Sequence, residues 1–343
     1  MEHRPLGRTG VSVSKLCLGA MMFGAWGNPD HDESIRIIHT ALDAGINFID
    51  TADVYAQGES EEIVGKALAG GRRDDIILAT KFHGAMGSDP NQQGSSRRWI
   101  IREVEDSLRR LGTDWIDLYQ VHRPRIDTGI EETLSALSDL VHQGKVRYVG
   151  SSTFPASQIV EAQWVAHDRH LQRFVTEQPP YSMVVRAIEA DVLPTCARHG
   201  MAVMSYSPLA GGWLSGRWKD AGQQSSSRAG RLPERFDLSQ PANQHKLDAV
   251  EQLAQLAEEA GITLIQLAIA FVLNHPAITA PIIGPRTMEQ LESQLAAADV
   301  VLDEAVLDRI DEIVPPGTTI NPVDNSFDNP ALQPAERRRQ GAA

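Results

Sequence analysis

Short apolar segments alternate with segments of helical periodicity along almost the whole chain. Eight of the apolar segments begin near residues 16, 47, 76, 116, 147, 174, 202 and 280. An alternation of strands with helices favours a parallel sheet, because each helix returns the chain to the same end of the sheet. Eight such units suggest that the sheet closes on itself as a (β/α)8 TIM barrel. A doubly wound sheet is the alternative, but the glycine-rich segment expected after its first strand is missing.

The predicted helices end at residues that typically stop a helix. The helix at 32–44 is followed by Gly45, and the helix at 97–111 is followed by Gly112. Glycine is common there because it adopts a left-handed backbone without strain. Before the first strand, the residues around Gly7 and Gly10 predict a short N-terminal hairpin. The complete set of predicted helices spans residues 32–44, 59–68, 97–111, 130–143, 156–166, 191–199, 241–260, 263–274, 287–298 and 304–314.

The length of 343 residues suits one barrel with insertions. We expect a single domain at 1–318 and a C-terminal tail at 319–343. Two long loops, at 82–96 and 210–240, follow predicted strands directly, so they project from the C-terminal face of the barrel. The loop at 210–240 is either a mobile cover over a site or a plain surface insertion. The tail is either partly disordered or folds back over the site with residues 321–329.

The charge and the cysteine content exclude some classes of protein. The formal net charge is −13, which argues against a nucleic-acid partner, because such a partner needs a basic face. The chain has no run of about 18 apolar residues, so we expect no membrane span. Its N-terminus lacks the layout of a signal peptide. Two cysteines, Cys17 and Cys196, are too few and too far apart for a disulfide framework, so we expect a cytoplasmic protein.

Four polar residues follow or end predicted strands. Asp50 ends the strand at 47–50, and Tyr55 comes five residues later. Lys81 and His122 end two later apolar segments in the same way. The carboxyl ends of parallel strands meet at one face of a barrel, where α/β folds place their chemistry. We therefore predict that these four side chains converge.

Together the four side chains suit the protonation of a carbonyl oxygen. A tyrosine hydroxyl has a pKa of about 10, which a nearby ammonium group such as that of Lys81 lowers. A carboxylate such as that of Asp50 keeps a partly buried lysine protonated. His122 can donate a hydrogen bond that orients the carbonyl group. No side chain donates hydride, so a nicotinamide cofactor is implied.

Each of the four residues also has an ordinary interpretation. Asp50 is then a cap at a strand end, and Tyr55 is a packing residue. Lys81 is then a solvated lysine, and His122 is a core histidine. These interpretations become harder to hold jointly, since all four residues would meet at one end of the barrel by chance. A metal site is a weaker alternative, because the other histidines show no ligand spacing and Lys81 would repel a cation, so we predict no metal.

Seven segments, in order between about Arg4 and Val314, make the sequence similar to the aldo-keto reductase family. The segments are Leu6-Gly-Arg-Thr-Gly10, Gly45-Ile-Asn-Phe-Ile-Asp-Thr-Ala-Asp-Val-Tyr55, Thr80-Lys81, Leu118-Tyr-Gln-Val-His122, Val149-Gly-Ser-Ser-Thr-Phe154, Tyr206-Ser-Pro-Leu209 and Gly284-Pro-Arg-Thr-Met-Glu-Gln290. The resemblance implies a TIM barrel whose catalytic tetrad is Asp50, Tyr55, Lys81 and His122. It also implies reduction of an aldehyde or ketone to an alcohol, with Tyr55 as general acid.

The resemblance further implies that NADPH/NADP, in preference to NADH, binds across the barrel mouth. The residues implied for this binding are Ser152 and Gln178 at the carboxamide, Tyr206 on the nicotinamide ring, Ser207 and Leu209 along the pyrophosphate, and Gly284, Arg286, Gln290 and Gln294 at the adenosine end. The guanidinium of Arg286 suits a 2′-phosphate, and a helix start at Thr287 favours anions. Two positions depart from the family pattern, because Thr153 and Gln294 stand where asparagine is common.

The substrate pocket and the partner are less defined by the sequence. Trp26, Tyr181 and Trp213 lie after predicted strands and are candidates for the walls of an apolar pocket, as is Trp218. A small-molecule carbonyl compound is the expected partner. The long insertion after Ser207-Pro-Leu is also similar to the family branch that forms β subunits of potassium channels. A cofactor-binding regulatory subunit with little turnover is therefore the alternative function.

Overall fold

The computed structural model describes residues 1–125, 127–217, 232–327 and 334–338. Within them, eight parallel strands close into a barrel surrounded by helices, which confirms the predicted TIM barrel. Strands adjacent in sequence are adjacent in the barrel, and the last strand pairs with the first, with Ile283 opposite Leu18. The barrel strands are β3 (Cys17–Gly19), β4 (Phe48–Asp50), β5 (Ile77–Phe82), β6 (Ile116–Val121), β7 (Val146–Ser152), β8 (Thr176–Gln178), β9 (Ala202–Ser205) and β10 (Ala280–Ile283).

All the helices except the short, exposed last one pack apolar side chains against the outside of the strands and form one large core. The helices are α1 (His31–Asp43), α2 (Glu59–Leu68), α3 (Arg97–Leu111), α4 (Ile130–His142), α5 (Ala156–Asp168), α6 (Val192–His199), α7 (Pro241–Glu259), α8 (Leu264–Asn274), α9 (Met288–Leu295), α10 (Glu304–Ile313) and the short α11 (Pro334–Arg337). α3 shows how the local sequence sets both ends. Ser96 accepts a hydrogen bond from the Trp99 amide, and Gly112 ends the helix with a φ of 63°.

A two-stranded hairpin precedes the barrel, as predicted. It pairs β1 (His3–Pro5) with β2 (Ser12–Ser14) in antiparallel register. Leu6 and Val13 of the hairpin are fully buried and share a cluster with residues that point into the barrel. Gly7 has a φ of +59°, and a Cβ there would lie 2.7 Å from the Gly200 carbonyl oxygen. The hairpin therefore closes the N-terminal end of the barrel through a contact that only glycine permits.

Some element boundaries differ from the predicted ones. The strand predicted at 147–150 runs from Val146 to Ser152, and the strand predicted at 174–177 is Thr176–Gln178. Ser151 and Ser152 pair with Glu177 and Gln178, so both strands continue into polar sequence. Backbone hydrogen bonds extend a strand regardless of side-chain polarity, which an apolar pattern cannot register.

The segment after β9 is described only in part. It forms short 3-10 turns at Ala210–Ser215 and Pro233–Arg235. The centre of the predicted cover, residues 218–231, lies outside the described residues. No single helix in the described ranges is long and apolar enough to cross a membrane. α7 and α8 pass that test only as a pair, and they are bent by 94° to one another.

Candidate active site

The four predicted polar side chains meet at the C-terminal face of the barrel. Asp50 ends β4, Lys81 lies in β5, and His122 directly follows β6. The Lys81 Nζ donates hydrogen bonds to Asp50 Oδ2 at 2.6 Å, to the Thr51 carbonyl oxygen at 2.8 Å and to Tyr55 Oη at 3.2 Å. Lys81 is completely buried. An ammonium group is thus held between a carboxylate and a phenol.

The protonation states of Lys81 and Tyr55 are set by their burial and by the charges of their neighbours. Burial lowers the pKa of Lys81, but Asp50 and Tyr55 more than offset it, so that the pKa lies above its ordinary value of 10.5. Burial raises the pKa of Tyr55 above 10.0, and the charge of Lys81 opposes this rise. The sequence predicts that Lys81 lowers the pKa of Tyr55. The charge of Lys81 does lower this pKa, but burial raises it by more, and the phenol is therefore protonated at neutral pH.

His122 lies against the edge of the Tyr55 ring. The two ring centroids are 5.6 Å apart and the rings are nearly perpendicular, at 82°. Burial, together with the positive charges of Lys81 and Arg123, places the pKa of His122 well below its ordinary value of 6.5. His122 is therefore neutral at pH 7, and a neutral imidazole keeps one N–H donor. The arrangement offers two donors, a phenol and an imidazole, to one acceptor oxygen.

Asp50 has a second set of partners that the sequence did not indicate. Its Oδ1 accepts a hydrogen bond from Gln120 Nε2 at 3.1 Å and one from Gln178 Nε2 at 2.9 Å. Gln178, predicted at the cofactor, is thus oriented by the same carboxylate that holds Lys81. Gln120 was missed. Its signal is a polar residue at an inward position of β6, two residues before His122.

A cavity of about 760 Å³ opens beside the tetrad. Trp26, Asp50, Tyr55 and His122 line one part of it, together with Met21. Most of the residues predicted at the cofactor line the rest. They are Gln178, Tyr206, Ser207, Leu209, Gly284, Arg286, Gln290 and Gln294. One continuous cavity therefore joins the four converging side chains to a polar groove.

The far end of the groove is built around α9. Thr287 caps this helix by accepting a hydrogen bond from the Gln290 amide, and Gln290 Oε1 accepts one from the Arg286 amide at 2.8 Å. The side-chain amide of Asn28 donates a hydrogen bond to the Arg286 carbonyl oxygen at 2.8 Å. The sequence did not indicate Asn28. In the described part of the chain the Arg286 guanidinium forms no ion pair. A free cation at a helix N-terminus is suited to a phosphate.

The corner beneath Tyr206 contains Ser152 and Thr153. Ser152 is buried, and its hydroxyl donates to the Gln178 carbonyl oxygen at 2.9 Å. Thr153 has a φ of 60°, an uncommon conformation for a β-branched residue that asparagine tolerates more easily. Arg123, another residue that was missed, donates from Nη1 to Thr153 Oγ1 at 2.8 Å. The sequence signal was its position directly after His122.

The three predicted pocket aromatics occupy different places. Trp26 lines the cavity, with its ring centroid 6.0 Å from that of Tyr55. Tyr181 also lines it, but its hydroxyl donates to Glu189 Oε1 at 2.6 Å. Trp213 is buried behind the wall, donates to the Arg235 carbonyl oxygen and stacks on Phe236. It supports the loop that lines the cavity, while Trp218 lies outside the described residues.

The beginning of the predicted tail forms one wall of the cavity. Lining residues there include Val323, Asp324, Ser326 and Phe327. This segment is attached to the loop after β9 and to α7. The Lys246 ammonium pairs with Asp324 Oδ2 at 2.6 Å, and Arg235 Nη2 donates to Ser326 Oγ at 3.0 Å. Residues 321–327 thus fold back over the site, and residues 328–333 and 339–343 lie outside the described residues.

Comparisons with known proteins find related sequences over most of the chain. A model of the "Aldo/keto reductase family" matches residues 15–315. An uncharacterised oxidoreductase of Bacillus subtilis, YrpG, is 41% identical over 92% of this chain and 96% of its own length. A probable voltage-gated potassium channel subunit beta of Arabidopsis thaliana is 37% identical over 92% and 97% of the two chains. The aldo-keto reductase YhdN of Bacillus subtilis is 38% identical over 85% of this chain and 87% of its own.

Proposed function

The chain belongs to the aldo/keto reductase family, and we propose that it is an NADPH-dependent oxidoreductase that reduces an aldehyde or ketone to an alcohol. The observation that carries this proposal is the contact of Lys81 Nζ with Tyr55 Oη at 3.2 Å, beside a neutral His122. Tyr55 is the general acid that protonates the carbonyl oxygen. Its location at the edge of the cavity gives a substrate access to the hydroxyl group.

The other members of the tetrad support this proton transfer. Lys81 stabilises the phenolate that forms when Tyr55 gives up its proton. Asp50 keeps Lys81 protonated through the contact of 2.6 Å, so that the compensating charge persists in a dry site. His122 donates a hydrogen bond that orients the carbonyl oxygen toward Tyr55. In alcohol oxidation the same phenolate would act as the base.

The groove residues fit a dinucleotide. NADPH, when bound, supplies the hydride that no side chain can provide. Gln178 and Ser152 would hold the carboxamide, Tyr206 the ring, and Ser207 and Leu209 the pyrophosphate. Gly284, Gln290 and Gln294 would bind the adenosine end. The guanidinium of Arg286, which forms no ion pair within the described residues, favours a 2′-phosphate, and therefore NADPH over NADH. Both cysteines are buried and free, which fits the reducing cytoplasm in this proposal.

The variant Tyr55→Phe tests the role of the hydroxyl group. We expect NADPH binding to remain while kcat falls by roughly 10²- to 10⁴-fold, the usual effect of a general acid. Steady-state NADPH oxidation measures kcat, and fluorescence titration measures binding. Tyr148→Phe is the matched control, because Tyr148 lies lower in the barrel with the residues of the inner cluster. A Tyr55→Phe variant within a few-fold of the wild type would remove Tyr55 from the reaction.

A second function is favoured by the relatives. The Arabidopsis thaliana protein at 37% identity and a rice protein at 35% identity are both described as probable voltage-gated potassium channel beta subunits. A cofactor-binding regulatory subunit would keep the groove and show little turnover. A panel of aldehydes and ketones separates the two functions. Tight NADPH binding with no turnover of any carbonyl compound would favour the regulatory role.

A further inference from the structure

Arg123 places a positive charge inside the cavity, next to the groups that act on the carbonyl. It directly follows His122 and lines the same cavity as Tyr55 and Trp26. Its guanidinium lies 5.9 Å from the centre of the Tyr206 ring. The proposed proton transfer uses Tyr55, Lys81, His122 and Asp50, so it leaves the charge of Arg123 without a role.

One edge of the Arg123 guanidinium is fixed by the protein. Nη1 donates to the His122 carbonyl oxygen at 2.9 Å and to Thr153 Oγ1 at 2.8 Å, with Ser152 Oγ at 3.4 Å. These three acceptors are neutral. Arginine carries five N–H donors, and within the described residues Nε and Nη2 have no hydrogen-bond partner. The side chain is thus held in place while one fork of donors remains available.

Arg123 forms no ion pair within the described residues. Burial raises the pKa of Glu177 and the charge of Arg123 lowers it, but that carboxyl accepts its hydrogen bonds from Ser151 and from the Phe154 amide. The exposed Arg125, two residues later, shows the contrast, because it is paired with Asp127. Of the acidic residues that line the cavity, Asp50, Glu234 and Asp324, none forms an ion pair with Arg123 within the described residues. Asp50 is paired with Lys81, and Asp324 is paired with Lys246. A guanidinium in a partly apolar cavity gains most from an anion that binds it in a bidentate manner.

We propose that Arg123 binds an anionic group of the substrate, a carboxylate or a phosphate, while His122 and Tyr55 engage its carbonyl oxygen. The substrate class is then an aldehyde or ketone that carries such a group within reach of the reacting carbon. This inference rests on the proposed carbonyl reduction and specifies its substrate. Nη1 stays bound to Thr153, and the free fork at Nε and Nη2 receives the anion.

The test compares pairs of substrates that differ in charge. One pair is 4-oxobutanoate and its methyl ester, and the other is glyceraldehyde 3-phosphate and glyceraldehyde. The wild type should prefer the anionic member of at least one pair. The pair that shows the preference identifies the anion as a carboxylate or a phosphate. In Arg123→Met the ratio of kcat/KM, anionic to neutral, should fall by about 10- to 100-fold, the usual value of charged hydrogen bonds. Arg123→Lys, which keeps a charge without the fork, should lose less.

Two controls isolate the substrate anion from other roles of Arg123. Arg125→Met removes an arginine of the same loop whose charge Asp127 already compensates, and it should keep the wild-type ratio. The Kd for NADPH in Arg123→Met should stay within about threefold of the wild type, less than 1 kcal/mol. Loss of NADPH affinity together with an equal fall for charged and neutral substrates would assign Arg123 to the cofactor and overturn the proposal. A wild type without preference for either anion would also overturn it.

A failure of the proposed reaction can be told apart from a failure of this inference. If no carbonyl compound is turned over, isothermal titration of the NADP-loaded protein with 4-oxobutanoate and with glyceraldehyde 3-phosphate measures anion binding directly. Binding that is present in the wild type and in Arg125→Met, but lost in Arg123→Met, supports the anion site without any turnover. Absence of binding in the wild type would refute it.

Discussion

Replacement of Lys81 by methionine tests the electrostatic centre of the site. Lys81 is fully buried, and its partner Asp50 is only 3% exposed. Lys81→Met therefore leaves a buried carboxylate without its cation at 2.6 Å. Removal of one partner of a buried ion pair costs about 3 to 5 kcal/mol. Gln120 and Gln178 still donate to Asp50, so we expect a loss in unfolding free energy near the lower limit, about 3 kcal/mol.

Urea unfolding of the protein without cofactor measures this loss, because bound ligand would add its own stabilisation. The double variant Asp50→Asn/Lys81→Met is the informative control. It removes both charges, so most of the lost free energy should return. The reasoning is refuted if Lys81→Met loses less than about 1 kcal/mol, the range of exposed pairs, or if the two substitutions are additive.

The pH dependence of the same variant has a defined sign. The pKa of Lys81 is raised in the folded protein above its ordinary value of 10.5. The stability that this shift contributes is fully present below pH 10.5 and is lost as the pH rises through the folded value. Lys81→Met lacks this loss. The difference in unfolding free energy between wild type and variant should therefore narrow above pH 10.5.

Two further predictions concern the groove and its support. Arg286→Ala should raise the Kd for NADPH by about 10-fold or more and leave the Kd for NADH nearly unchanged, because a charged hydrogen bond to the 2′-phosphate is lost. Fluorescence titrations measure both constants, and an equal rise in the two would exclude this role of Arg286. Burial raises the pKa of Glu177 to about 7 in the folded protein. The free energy that its protonated carboxyl contributes to folding is therefore fully present below pH 4.5 and is lost as the pH rises through about 7. The unfolding free energy of Glu177→Gln should therefore exceed that of the wild type by up to about 3 kcal/mol at pH 8 and by little at pH 4.5. Urea unfolding at the two pH values measures this difference.

The barrel could be predicted because its signals are local. Each strand is a short apolar segment, and each helix carries an apolar face. α3 matches its predicted range of 97–111 at both ends, because Ser96 and Gly112 mark them. The extension of β7 through Ser152 could not be predicted, since its backbone partner Gln178 lies 26 residues away and both side chains are polar.

The same distinction between local and long-range signals applies to the site. The convergence of Asp50, Tyr55, Lys81 and His122 was expected from strand ends, because parallel strands end at one face. Gln120 and Arg123 were missed, since their roles depend on which side chains approach from other strands. The sign of the net pKa shift at Tyr55 depends on the depth of burial, a quantity that spacing in a sequence does not contain.

The wall formed by residues 323–327 has a consequence for protein engineering. The tetrad lies in barrel strands or directly after them, whereas this wall is fastened to neighbouring loop and helix side chains through Asp324 and Ser326. The tetrad and the wall are therefore held in place by different parts of the structure. A library confined to Val323 and Phe327 would vary the shape of the cavity and keep the fastening residues. Selectivity could then be changed by design while the geometry of the four converging side chains stays constant.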